Sequence, residues 1–284
     1  MSKAFEGKVV LVTGANSGIG ETAAVRLQEA GATVFGLARR EDAIAAARLR
    51  HPRIRWLLAD VTNEAQVTAA VQTAVEEGRR LDVVVNNAGI GAFAPLEQST
   101  AEMVRSQFEA NVFGLIDTTK AVLPVMRKQR SGLIVNVSSI GGLASFAATG
   151  YYHGTKYAVE GISESLATEV KPLGIDVLIV EPGPFRTNWA GPSIKQSATQ
   201  IEDYAATAGE RRKQTAARSG NQAGDPVRAA QAIIDAALSD TPPLRLLLGK
   251  AALELARKKL DFLRSDFDAW EATTVGADFP EGTK

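Results

Sequence analysis

The chain contains no cysteine. Disulfides, thiolate nucleophiles and cysteine-ligated zinc or iron–sulfur centres are therefore excluded. Two histidines, His51 and His153, are too few for a histidine-rich metal site. Neither sign of charge is in excess: 32 basic residues balance 32 acidic ones, so no global field draws the protein towards nucleic acid or anionic lipid. Short clusters such as Arg211-Arg212-Lys213 read as solvated helix faces. No apolar run approaches the roughly 18 residues of a membrane span, and the opening MSKAFEGK is too polar for a secretory signal. The expectation is a soluble, cytoplasmic protein with no nucleic-acid, membrane or metal partner.

What is present is a chain of 284 residues, 45% of them hydrophobic, enough for one large α/β domain or two small ones. The first half alternates two periods. Short β-branched runs at Lys8–Thr13, Ala32–Ala38, Ile54–Ala59, Leu81–Val85 and Gly132–Val137 predict buried strands. Between them, Gly18–Ala30, Glu41–Leu49, Glu64–Glu77 and Thr100–Lys128 have helical spacing, with Ser99 and Glu102 as a capping box before the last. Strand–helix–strand repetition means right-handed crossovers and a parallel sheet covered on both faces. The second half predicts a helix over Tyr152–Lys171, a strand over Gly174–Val180 and an irregular stretch from 183 to 225 in which Ile201–Arg218 can form a helix. A loop of that length is a candidate lid or binding loop. Asp225-Pro226 opens a further helix to about Leu238, followed by a strand at Leu244–Leu248, a helix at Ala251–Leu263 and a loose tail after Trp270. With no repeat and no linker, residues 1–284 read as one domain.

The first strand runs into TGANSGIG, with glycines at 14, 18 and 20. Lacking Cβ atoms, they allow a sharp turn and close approach of a pyrophosphate to the N–H groups that open the next helix; a tight turn with no ligand is the alternative. The second strand ends with Ala38, Arg39 and Arg40, where a dinucleotide fold would carry a carboxylate for a ribose 2′-hydroxyl. A guanidinium there suits a 2′-phosphate, hence NADP(H) rather than NAD(H), although Arg39 also reads as a solvated turn residue. Asp60-Val61 and Asn86-Asn87-Ala88-Gly89 follow strands three and four at the edge where open α/β sheets bind ligands; Asn87 and Gly89 read equally well as turn formers.

The hexapeptide YYHGTK, residues 151 to 156, places Tyr152 and Lys156 four apart on one helix face. An ammonium about 4 Å from a phenol contributes roughly 4 kcal/mol at an effective dielectric of 20, equivalent to about three pKa units. That would bring the phenol from ~10 towards neutral pH, where general acid–base catalysis is efficient. Ser138 and Ser139 close the strand before it; Ser139 can hold a substrate carbonyl, or the pair can satisfy loop backbone.

TGANSGIG, NNAG, Asn111, SS, YxxxK and PGPFRT stand in the order and spacing of the classical short-chain dehydrogenases/reductases, which the chain resembles over roughly residues 7 to 250. ANVFG, AVLPVMRKQRSG, EPGPFRT, GDP and PPLR resemble the 17β-hydroxysteroid dehydrogenase-like branch, which includes retinol dehydrogenase-like and ketoreductase sequences. The resemblance implies a single Rossmann-fold domain with a doubly wound seven-stranded parallel sheet of order 3-2-1-4-5-6-7, a substrate loop at about 188–225 and a C-terminal helix at about 251–263. It implies that Tyr152 is the acid or base, that Lys156 lowers its pKa and holds the nicotinamide ribose, that Ser139 binds the substrate oxygen, and that Asn111 holds a water relaying protons to Lys156. Gly14, Asn16, Ser17, Gly18, Ile19, Gly20, Arg39, Arg40, Asp60, Val61, Asn87, Ala88 and Gly89 would line the cofactor, with Pro182, Gly183, Phe185 and Thr187 against the nicotinamide. Phe185 departs from the small aliphatic residue usual there. The implied activity is NADP(H)-dependent interconversion of a carbonyl and an alcohol on an apolar or aromatic small molecule (Phe93, Leu143, Phe146, Trp189 and Tyr204 forming the pocket), in a homodimer or homotetramer joined through the two long helices. A sugar-nucleotide epimerase-like enzyme and a non-catalytic NADP sensor are the rival readings.

Overall fold

The apolar runs of the first half leave no polar face to the strands, so each strand must be covered on both sides. The computed structural model describes residues 4–190, 195–196 and 201–279. Its main sheet is built from seven parallel strands: β1 (Val9–Thr13), β2 (Thr33–Ala38), β3 (Arg55–Leu58), β4 (Val83–Asn86), β6 (Gly132–Val137), β7 (Ile175–Pro182) and β9 (Arg245–Leu248). Their order, β3-β2-β1-β4-β6-β7-β9, is the expected 3-2-1-4-5-6-7 when the sheet's own strands are counted. Two short strands, β5 (Ala92–Phe93) and β8 (Lys195–Gln196), pair outside it. The order in which successive strands are laid down reverses between β1 and β4, and ligand sites in such folds lie at the strand ends there.

Helices α1 (Gly18–Glu29), α2 (Glu41–Arg50) and α8 (Pro226–Ala237) bury Leu27, Ile44, Ile233 and Ile234 against Val10, Val12 and Val85 on one face. On the other, α3 (Glu64–Gly78), α5 (Gly114–Gln129) and α6 (Gly150–Val170) bury Val71, Met126 and Leu166 against Leu11, Val84 and Ile134. Each such side chain contributes about 1.5–3 kcal/mol relative to exposure. The remaining helices are α4 (Ala101–Phe108), α7 (Glu210–Ala217), α9 (Lys250–Ala269) and α10 (Glu271–Val275). Asp225 caps α8 by accepting from the Val227 N–H at 2.8 Å, with Pro226 at the first helical position, as the sequence predicts.

Several boundaries differ from expectation. The helix expected over Thr100–Lys128 is α4 and α5 joined by a π-turn at Glu109–Phe113. Its cap is Thr100, which accepts from the Met103 N–H at 3.2 Å; Ser99 instead donates to the Pro95 carbonyl. The helix expected over Ile201–Arg218 starts as a 3-10 turn and a π-turn, becoming regular only in α7. The last helix outruns Leu263 to reach Ala269, and the tail after Trp270 contains the turn of α10. Within the loop expected at 188–225, residues 191–194 and 197–200 lie outside the described residues.

At the far edge of the sheet, Arg245 of β9 donates to Glu160 and Glu164 of α6 and to Glu181 of β7. Glu181 is wholly buried, and burial together with the charge of Glu160 pushes its carboxyl up. One guanidinium thus joins the last strand to its neighbour and to α6 through Glu160 Oε2 and Glu181 Oε1, and the second oxygens, Glu160 Oε1 and Glu181 Oε2, are buried without a hydrogen-bond partner. Arg245→Ala would strand buried carboxylates and lower the unfolding free energy by about 3–5 kcal/mol, measurable by urea titration. Arg245 holds down the Glu181 carboxyl that burial has raised to about 7, so without it the group would keep its proton to higher pH, and the deficit grows as pH rises through about 7 and shrinks below it.

Candidate active site

Every motif of the sequence that carries chemistry reaches the carboxyl edge of the sheet. After β1, Gly14 and Gly18 have φ of +63° and +60°, the left-handed region that glycine enters without strain. A Cβ on Gly20 would lie 2.2 Å from Asn87 Nδ2 and 2.6 Å from the Gly14 carbonyl oxygen. Asn87 is the reason: its Nδ2 donates to the carbonyls of Thr13 (3.0 Å) and Gly14 (3.1 Å), while the N–H groups of Asn87 and Ala88 both donate to Thr13 Oγ1 at 3.0 Å. Asn87 braces the glycine turn from β4. Ser17 at the cap of α1 offers no side-chain bond, so the first-turn N–H groups of Gly18, Ile19 and Gly20 remain available at the positive end of the helix dipole. That cradle fits a pyrophosphate. Asn16 gives its carbonyl to Arg50 at 3.3 Å.

Arg39 at the end of β2 is exposed and has no hydrogen-bond or ion-pair partner among the described residues, whereas Arg40 pairs with Asp42 at 3.2 Å. Of the two guanidiniums, Arg39 is the one open to a ligand. Asp60 accepts from the N–H and hydroxyl of Thr62 (3.0 and 2.8 Å) and shapes the loop after β3, and Val61 packs where a Cβ on Gly114 would meet it at 2.9 Å. Beyond β7, Pro182 ends the strand and the Gly183 N–H donates to Leu248. Thr187 lies 3.5 Å from a Cβ built on Gly18, closing this segment over the glycine turn. Phe185 points into the core beside the α1–α8 layer and fills the space where Gly224 lacks a Cβ. Its unusual bulk anchors the loop.

Tyr152 and Lys156 share a face of α6 and both are buried, with Lys156 Nζ 5.8 Å from the centroid of the phenol ring and donating to the Val137 carbonyl at 2.8 Å. The expected acidification of the phenol is reversed. Burial pushes Tyr152 up to about 12, partly offset by a hydrogen bond with Ser139. The physical reason is desolvation, which acts on both groups and outweighs the attraction of an ammonium 5.8 Å from the ring centroid. Lys156 is itself lowered to about 8 by burial, against the opposing charge of Glu160 one helical turn on. Ser139 Oγ accepts from the Gly141 N–H at 3.0 Å, while Ser138 is buried without a partner for its hydroxyl.

Asn111 lies in the π-turn between α4 and α5. Its Oδ1 accepts from the Ile90 N–H (2.7 Å) and its Nδ2 donates to the Ile90 carbonyl (2.9 Å) and to Thr155 Oγ1 (3.0 Å). The side chain thus spends both amide hydrogens and one acceptor site of Oδ1; it pins the loop after β4, including Gly89, onto α6. A π-turn in a long helix marks such a site.

The sequence reading put His153 to no use, yet it organises the loop from Ile140 to Thr149. His153 Nε2 faces the Phe146 N–H at 3.0 Å and Thr149 Oγ1 at 2.8 Å, and Nδ1 faces the Gly141 carbonyl at 2.9 Å. An N–H can only donate, so Nε2 is the acceptor and Nδ1 carries the proton. Burial, its first cause, holds the imidazole below its ordinary range. The Tyr and Lys of YYHGTK face the reacting edge while the His ties down the loop above it. Nor is Arg211 a solvated residue: its guanidinium lies 4.4 Å from the centroid of Phe146, half-buried. Trp189 stacks at 5.0 Å and 51° to Tyr152. Of the aromatic residues expected in the pocket, Trp189 lies beside Tyr152, while Phe146 packs edge-on against the neighbouring His153 at 5.3 Å. Phe93 and Tyr204 line a separate cavity of about 260 Å³ with Ala148 and Ala208, and Leu143 packs against Ala252 and Ala256 of α9 instead.

Comparison with known proteins places this arrangement. Residues 8–198 match the family model described as short chain dehydrogenase. The chain is 43% identical over 199 residues to the 3-ketodihydrosphingosine reductase of Bacteroides thetaiotaomicron, covering 70% of this chain and 72% of that one. It is 35% identical to Oxidoreductase BOA17 of Botryotinia fuckeliana, covering 95% and 99%. A short-chain dehydrogenase from Streptomyces avermitilis has a similar structure, with TM-score 0.88 at 40% identity over 96% and 98% of the two chains. A short-chain dehydrogenase/reductase from Burkholderia phymatum, solved in complex with NAD, gives TM-score 0.81 at 27% identity over 93% and 96%. The similarity reaches the family rather than a branch within it: the chain belongs to the short-chain dehydrogenases, a family of nicotinamide-dependent oxidoreductases.

Proposed function

We propose that this protein is an NADP(H)-dependent carbonyl reductase acting on an apolar or aromatic ketone in the cytoplasm. The observation that carries the reading is the buried phenol of Tyr152 beside the buried ammonium of Lys156 at the carboxyl edge of the sheet. Bound NADPH would supply the hydride. Burial keeps the proton on Tyr152 through neutral pH, and Tyr152 would give it to the carbonyl oxygen as hydride reaches the carbon. Ser139 presents its hydroxyl to the same oxygen and orients it. Lys156 would hold the ribose and offset negative charge developing on the phenol, and Asn111 keeps the loop after β4 fixed against α6. Gly14, Gly18 and Gly20 leave room for the pyrophosphate, and Arg39 would take the 2′-phosphate.

The open guanidinium of Arg39, with no carboxylate in its place at the end of β2, supports NADP(H) over NAD(H). Trp189 beside Tyr152 supports an apolar substrate, and a relative named 3-ketodihydrosphingosine reductase is in keeping with a ketone. Exposed Phe113 and Tyr157, on the π-turn before α5 and on α6, support a dimer or tetramer built through those helices.

Two measurements test this reading. Tyr152→Phe is expected to lower kcat for NADPH-dependent ketone reduction by roughly 10²–10⁴-fold while leaving NADPH affinity, followed by nucleotide fluorescence, nearly unchanged; full activity would require another acid. Arg39→Ala is expected to raise KM for NADPH at least about 10-fold, the loss of one charged hydrogen-bonded contact, without changing KM for NADH. Equal use of both nucleotides by the unaltered protein would remove the phosphate role.

A further inference from the structure

Helix α9 leaves the body of the protein part-way along its length. Ala252 and Ala256 are buried with Ile140, and Leu143, Leu247 and Leu255 pack against them. From Arg257 to Phe279 every residue is exposed except the half-buried Lys259 and Leu263. A helical segment this short is marginal by itself in water and normally depends on packing along an apolar face. Such a face is present: Leu260, Leu263, Phe267 and Trp270 recur at spacings of three and four, the heptad seam by which helices pair. Leu260, Phe267 and Trp270 are 66%, 65% and 63% exposed, which is a large apolar area for a protein surface to leave in water.

The charges identify the occupant. Arg257, Lys258, Lys259 and Arg264 make the inner part basic, with Asp261 the one acid among them; Asp266, Asp268 and Glu271 make the outer part acidic. Among the described residues none of these takes part in an ion pair; the ion pair within α9 joins Lys250 to Glu254, nearer the body. An antiparallel second copy would set each basic part beside the other's acidic part, whereas a parallel copy would set like beside like. An anionic lipid surface fits poorly, because the aromatic end of the face, Phe267 and Trp270, carries the acidic residues.

We propose that the projecting part of α9 is an interface between two copies of this chain, the helices crossing antiparallel about a two-fold axis near Leu263. The surface is distinct from the α5 and α6 faces, and the inference does not rest on the proposed activity.

The chain has no cysteine, so introduced cysteines report the geometry. In the full-length protein, Leu263→Cys should cross-link to itself under mild oxidation, because a residue on the axis meets its own copy within disulfide reach. Trp270→Cys should not, as its two copies would lie about 20 Å apart. Leu260→Glu combined with Phe267→Glu should halve the mass seen by sedimentation at micromolar concentration, with unchanged circular dichroism confirming that the body is folded. Chains carrying Lys258→Glu with Lys259→Glu should associate weakly alone and regain association when mixed with chains carrying Asp266→Lys with Asp268→Lys. A monomeric unaltered protein, an assembly indifferent to the glutamates, or cross-linking at 270 but not at 263 would overturn the proposal. So would a monomer that sediments instead with phosphatidylserine vesicles.

Discussion

Two ionisable groups, Tyr152 and Lys156, are held out of water side by side, and that desolvation governs the rest of the site. It raises the phenol to about 12 and lowers the ammonium to about 8, so each is biased towards its neutral form. A charge placed over an aromatic face does less to a phenol than Coulomb's law at contact distance suggests, because the same burial that would amplify the attraction penalises the charges themselves. The free site is therefore a proton store. Carbonyl reduction uses that state directly, whereas alcohol oxidation must first remove the proton.

Holding such groups dry requires a rigid surround, and much of the buried polar chemistry serves this purpose. Asn111 fixes the loop after β4 to α6 through both ends of its amide, and His153 fixes the loop after β6 through both ring nitrogens. Asn87 does the same for the glycine turn. Further down α6, Glu160 supplies Lys156 with an opposing charge and is itself held by Arg245 on the last strand. The outermost strand of the sheet is thereby connected electrostatically to the reacting edge.

The sequence made the scaffold legible because its signals were local. Valine-rich runs can be little else but buried strands, glycines at 14, 18 and 20 require a close backbone approach, and Asp225-Pro226 marks a helix start through chemistry confined to a few residues. Less was legible where two segments compete or meet. Ser99 and Thr100 are both capping residues, and the position of the Pro95 carbonyl decides that Thr100 caps. The π-turn at Asn111 arises from packing against Ile90 and Thr155, and no periodicity within the helix shows it. His153 was adjacent to the residues singled out, but its role depends on a loop folding back seven to twelve residues away. Arg211 resembled its charged neighbours and became distinct only once Phe146 lay beneath it. The direction of the Tyr152 shift was likewise beyond reach, since a four-residue spacing specifies a shared face and not how much water remains there.

The most direct measurement is a titration of the phenol in the cofactor-free protein, by carbon-13 tyrosine resonance or phenolate absorbance, taken as the difference between the unaltered protein and Tyr152→Phe. If desolvation dominates, the Tyr152 signal stays that of a neutral phenol up to pH 10 and ionises only towards about 12, beyond the ordinary value of 10. A Tyr152 phenolate appearing near neutral pH would show that the lysine charge prevails over burial, and would contradict the account.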